Sequence, residues 1–141
     1  MRVKLFHACA WLFLTAAACA QQQPSPNQDP IGQSFFPPEL VMQNQESIGL
    51  NDEQKTYLRT ELRDAQLKFT DLQWKLQDEM EKMVALVKQP HVDEQQVLAQ
   101  LEKVLATERE VKRAQISLLV HIKNKLTADQ QAKLEAIRTR R

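Results

Sequence analysis

Glycine is almost absent from this chain: of 141 residues only Gly32 and Gly49 are glycine, and both precede Leu50. No glycine-rich loop is left to cradle a phosphate, and neither GxxxxGK nor HExxH occurs. Cysteine is equally scarce. Cys9 and Cys19 both fall in the first twenty residues, so no CxxC pair, structural disulfide or cysteine nucleophile serves the rest of the chain. Proline also stops early: five of the six lie between Gln21 and Pro38, and Pro90 is the single later breaker. A chain with so few breakers after Leu50 reads as almost wholly helical. An enzyme reading finds no support, because the closest carboxylates, such as Asp78, Glu79 and Glu81, read as a solvated helix face.

What is present starts with a positive pair, Arg2 and Lys4, an apolar run, LFHACAWLFLTAAACA, and small residues at its end. Residues 1–20 read as a signal peptide, so the expectation is an exported protein. Two endings stay open. Ala18, Cys19 and Ala20 before Gln21 suit a signal peptidase, whereas Cys19 behind three alanines suits a lipid anchor. Without Arg2 and Lys4 the chain keeps 17 basic and 18 acidic residues, a balance that excludes nucleic acid as its main partner. The charges are unevenly spread, with 8 basic and 15 acidic residues from Gln21 to Glu108, then 9 basic and 3 acidic from Arg109 onward. Two uses fit this pattern: attraction between segments of the chain, or a basic face, including Arg109, Lys112 and Arg113, that meets acidic clients.

Residues 21–38, QQQPSPNQDPIGQSFFPP, read as a flexible Pro/Gln-rich leader, and residues 39–141 as the helical domain. Phe35 and Phe36 stand out in the leader, either docked on the domain or available to a partner. From Asp52 to about Lys88 the apolar positions are Leu58, Leu62, Ala65, Phe69, Leu72, Leu76, Met80, Met83 and Val87. Steps of four and three with one extra four predict a coiled-coil-like seam with one stutter. Gln89 and Pro90 end that helix, and Asp93, with Gln96 three residues on, starts another that runs to about Lys125. Its expected inward residues include Val97, Leu98, Leu101, Val104, Leu105, Ala114, Leu118 and Ile122, with Glu108, Lys112 and Gln115 wetting the middle of the seam. Two long helices joined by a tight turn lie antiparallel.

A helix-start signal occurs twice. Thr127 and Gln130 form a capping box after Leu126, and Asn51 and Gln54 repeat it after Leu50, so short helices before Gly49 and after Leu126 complete the fold class: all-α, a long antiparallel hairpin with short flanking helices. A two-helix hairpin has little interior, which favours a homodimer. Leu67 and Trp74, seven apart and off the seam, form a second apolar row suited to a dimer or client surface. Met80 and Met83 offer adaptable packing, either in the core or against clients. His91 in the hairpin turn and His121 on the second long helix are weak metal candidates; neither has a second histidine three or four residues away, and no cofactor is expected.

The pair of motifs, LTADQ at Leu126, Thr127 and Gln130 and LNDEQ at Leu50, Asn51 and Gln54, flanking a helical hairpin, resembles the Spy/CpxP family of periplasmic LTxxQ proteins. The resemblance covers Glu39 to Arg138. It implies a cradle-shaped dimer in the periplasm, soluble or anchored through Cys19. It further implies an ATP-independent chaperone for unfolded or misfolded envelope proteins. The alternative it implies is a regulatory adaptor or heavy-metal sensor acting on a sensor kinase or an anti-sigma partner in the stress response. Asn51 in place of threonine departs from the family pattern; asparagine caps a helix about as well.

Overall fold

The structure, a computed structural model, describes residues 30–140. The expected signal peptide, Cys19 and the first part of the leader lie outside the described residues. The described chain is all-helical: α1 (Pro30–Gln33), α2 (Pro38–Gln43), α3 (Asp52–Val87), α4 (Glu94–Lys125) and α5 (Ala128–Arg138). At 1.5 Å per residue, the 36 residues of α3 extend about 54 Å. Lys88 caps α3, and the turn at Pro90 ends at Asp93, whose carboxylate accepts from the Gln96 N–H (3.1 Å). The chain then returns along α3 as α4, and the two form the hairpin.

The seam is more regular than the sequence pattern suggested. On α3 the partly covered positions run Leu58, Leu62, Ala65, Phe69, Leu72, Leu76, Glu79, Met83 and Leu86, strictly alternating four and three. The expected stutter is absent. Met80 and Val87 point outward, at 45% and 49% exposure, because a strict heptad keeps one stripe against the partner helix while a second consecutive step of four turns it away. Glu79 takes the inward place by finding partners: Lys82 Nζ donates to its carboxylate (2.8 Å), and Gln100 Nε2 donates both to that carboxylate (2.6 Å) and to the Glu79 carbonyl (2.8 Å).

On α4 the expected inward positions Val97, Val104, Ala114, Leu118 and Ile122 are covered, together with Gln100, Thr107 and Val111; all are buried except half-buried Val97 and Val111. Leu98, Leu101 and Leu105 are exposed, as are Glu108, Lys112 and Gln115. Thr107 tolerates burial because its hydroxyl donates to the Lys103 carbonyl (3.0 Å).

The apolar core is confined to the open end of the hairpin. Phe36, Leu40, Val41, Ile48, Leu50, Leu58, Leu118, Ile122, Leu126 and Leu134 form one cluster, with Tyr57, Leu62, Phe69 and Ile137 packed against it. Helix α2 ends at Gln43, earlier than the sequence suggested, and its last turns close on Gly49. The Leu50 N–H donates to the Gln45 carbonyl (2.9 Å) and the Gly49 N–H to Glu46 (3.1 Å), with Gly49 at φ 72. This reversal needs a left-handed residue and supplies a reason for glycine there. Helix α5 has 11 residues, and Leu134 is fully buried, which anchors a helix too short to persist alone.

Glu79 gives the hairpin a pH response. The hydrogen bond from Lys82 first, and that from Gln100 second, hold its carboxyl below the usual carboxylate range. A carboxyl whose pKa is depressed by folding contributes stability above its unfolded value, and the contribution disappears as pH falls through the folded one. Acid titration of the tip, followed by Trp74 fluorescence, should therefore show loosening below pH 4.5 in the wild-type chain. Glu79→Gln should flatten that response; an identical acid limb in the variant would remove Glu79 from the account.

Candidate functional site

Ten large apolar side chains are exposed among the described residues, and eight of them lie between Trp74 and Leu105, toward the tip of the hairpin. Their order follows from the register of the seam. Met80, Val84 and Val87 each come one residue after an inward position of α3, and Leu98, Leu101 and Leu105 each come one residue after an inward position of α4. A step of one residue turns about 100° around a helix, and in an antiparallel pair that rotation brings both rows to the same side. One side of the tip is therefore an apolar face. Trp74 extends it, lining a recess of about 330 Å³ with Gln73, Leu76, Gln77 and Met80. The opposite side, near the core, is polar: Glu61, Asp64, Lys68, Ser117 and His121 rim a second recess.

Leu67 and Trp74 are each 62% exposed, on the back of α3, and Met83 is half-buried in the seam. Arg109, Lys112 and Arg113 are exposed along α4. His91 is exposed in the turn, 30 residues along the chain from His121. His121 pairs with Glu61 through Nδ1 (2.7 Å). The structure does not bring the two histidines together, and among the described residues no three His, Cys, Asp or Glu side chains group as metal ligands.

The two cap motifs meet. Asn51 and Thr127 each cap a helix, accepting from the N–H groups of Gln54 (2.8 Å) and Gln130 (3.3 Å), and each glutamine returns the bond to its cap residue's N–H (3.1 and 2.9 Å). The glutamines then bind one another: Gln54 Nε2 donates to Gln130 Oε1 (2.8 Å), and Gln130 Nε2 donates to Gln54 Oε1 (3.0 Å). Their remaining protons cross between motifs, from Gln54 to the Lys125 carbonyl (2.9 Å) and from Gln130 to the Gly49 carbonyl (3.1 Å). Those carbonyls belong to the residues just before Leu50 and Leu126, both buried. The arrangement has an approximate two-fold symmetry, and both side-chain amides spend every donor. Lys125 adds an outer tie, donating to Glu53 (2.7 Å) while lying over the Tyr57 ring (4.9 Å). That contact lowers the Glu53 pKa, and burial chiefly, then Glu61, raises that of Tyr57.

The model of the heavy-metal resistance family matches residues 7–133, a span that contains the hairpin and both halves of this clasp. The chain belongs to that family. It is the Spy/CpxP-like LTxxQ helical family, so the motif resemblance and the family match converge on one assignment. No curated protein and no solved structure matches the chain.

For this Spy/CpxP-like chain the family glutamine has a reason that capping alone does not provide. A capping box accepts glutamate as readily as glutamine. Only an amide can accept from its own cap and donate across to the other motif. The sequence carried the signal in choosing glutamine twice, yet the partner lies 76 residues away and no local pattern reports such a contact.

Proposed function

We propose that this protein is an exported, ATP-independent holdase that binds unfolded or stressed envelope proteins in the periplasm along the apolar side of the hairpin tip. The observation that carries the reading is the separation of the two ends: the core end closes every polar group of its clasp, while the tip presents Met80, Val84, Val87, Leu98, Leu101 and Leu105 exposed on one side. A monomer that leaves such a surface uncovered has a binding use for it. Met80 and Trp74 suit varied partners, since a flexible thioether and a broad ring adapt to many shapes. Exposed Arg109, Lys112 and Arg113 add charge beside the face. Binding needs no cofactor and no catalytic step, and a homodimer doubles the surface.

The test is light scattering of a chemically denatured model protein diluted into buffer with EDTA and no ATP, with and without the chain from Gln21. Suppression near one dimer per client is expected, and Leu98→Ser/Leu101→Ser/Leu105→Ser should abolish most of it while melting unchanged. Full aggregation with the wild-type chain rejects the holdase. A second reading rests on the family description: a metal-responsive adaptor that docks on a sensor kinase or anti-sigma protein. Its mark is indifference to unfolded clients together with affinity for one folded domain.

A further inference from the structure

The first described residues do not hang free of the domain. Phe36 is buried in the core with the Arg138 guanidinium over its ring (5.1 Å), and Phe35 is half-buried with Lys123 near its ring (5.8 Å). Three successive carbonyls before and at Phe35 are gripped by the same two cations. Arg138 donates to the carbonyls of Gln33 and Phe35, the latter at 2.8 Å, and Lys123 donates to that of Ser34 (2.7 Å). Residues 31–36 thus form a strap, latched through its backbone and two aromatic rings.

The strap lies on a surface already described. Ile31, Gly32 and Phe35 line one recess, of about 220 Å³, with Lys112, Gln115, Ile116 and Leu119 of α4. Lys112, Gln115 and Leu119 continue the spacing of Leu98, Leu101 and Leu105, with Glu108 between, in alternating steps of three and four. That is one stripe of one helix. Its tip half is bare, and its core half, exposed at Lys112 and Gln115, runs beside a segment of this same chain.

We infer that the strap is an intramolecular occupant of the client face, and that an aromatic client segment competes with it for the α4 stripe. The occupant's chemistry is visible in how it is held: ring against apolar helix surface, main-chain carbonyls offered to lysine and arginine. An unfolded chain presents both features wherever an aromatic residue sits in unpaired backbone. A folded protein keeps its carbonyls in its own hydrogen bonds, so the latch discriminates against it. Gripping backbone carbonyls rather than particular side chains leaves client sequence unrestricted beyond the ring. The inference rests on the client-binding reading above.

The experiment compares the chain from Gln21 with its Ile31→Ser/Phe35→Ser variant, both with Phe36 intact. A fluorescent peptide of residues 30–36, PIGQSFF, is titrated in trans by anisotropy, and the denatured model client by scattering. If the strap occupies the stripe nine-tenths of the time, its loss should tighten binding about tenfold for both peptide and client. Lys123→Gln added to that variant removes a cation that strap and peptide share, so it should weaken the peptide binding that loss of the strap had gained. Equal peptide binding by wild type and the Ile31→Ser/Phe35→Ser variant overturns the inference, as does weaker client protection by that variant. Peptide binding that tightens while no form protects any client upholds the strap and rejects the holdase.

Discussion

Glutamate in place of Gln130 should destabilise the protein by about 3 kcal/mol at pH 7, whereas alanine in place of Thr127 should cost only about 1. Glutamate keeps the acceptor that answers the Thr127 N–H. It loses both protons that Gln130 supplies, so the Gly49 carbonyl and Gln54 Oε1 would face a carboxylate. Gln54 Oε1 keeps the Asn51 N–H, but the Gly49 carbonyl and the second carboxylate oxygen are left without a donor, and two such acceptors in a buried place are worse than a missing cap. Gln54→Glu should match it from the other side, stranding the Lys125 carbonyl. The defect carries its own signature. Burial among acceptors raises the new carboxyl's pKa in the folded state, so the variant's stability is fully present below the unfolded value of about 4.3 and declines as pH rises through the folded one. Urea melts of Gln130→Glu and wild type at pH 4 and pH 7 should therefore converge at the acid end. If Gln130→Glu proves no worse than Thr127→Ala at neutral pH, the amide pair adds nothing beyond capping.

Leu134→Ala should lower stability by about 2 to 5 kcal/mol, and Leu101→Ala by less than about 0.5. Leu134 is fully buried in the cluster that joins α2, α3, α4 and α5, and its loss opens a cavity there. Leu101, at 37% exposure, opens to solvent on one side, so its loss leaves no enclosed cavity. The contrast reaches beyond two side chains. Amide exchange should be slowest in α5 and the first turns of α3, and fastest near Pro90, because the tip rests on a single half-buried row. Equal costs for both substitutions would mean that the tip is packed against something as firmly as the core is.

These contrasts also mark where the sequence was transparent. Caps are local, and Asn51, Asp93 and Thr127 announce their helices within four residues, so the hairpin and its corners were legible. The seam was legible to within one residue. It failed at Leu76, where the eye prefers Met80 to Glu79; hydrophobicity ranks the side chains correctly, but Gln100 and Lys82 make the carboxylate the cheaper one to turn inward. On α4 a stripe drawn one residue too wide hid Leu98, Leu101 and Leu105 in an imagined core, and with them the length of the apolar face. Phe35 and Phe36 could not be placed because the cations over their rings, Lys123 and Arg138, are about a hundred residues away and are held there by the backbone carbonyls of Gln33, Ser34 and Phe35.

The clasp also dictates an order of events in biogenesis. Gln54 and Gln130 are 76 residues apart, Gly49 and Gln130 are 81, and Leu134 follows them all, so the core end cannot close until nearly the whole chain is in one compartment. A polypeptide threaded through a membrane pore from its N-terminus would emerge as α3 and then α4 with their anchoring residues still behind. Loop closure of that span is slow compared with helix formation, and little resists the pull of translocation before it occurs. Locking the fold with its last helix would let an exported chain stay open until its end has crossed.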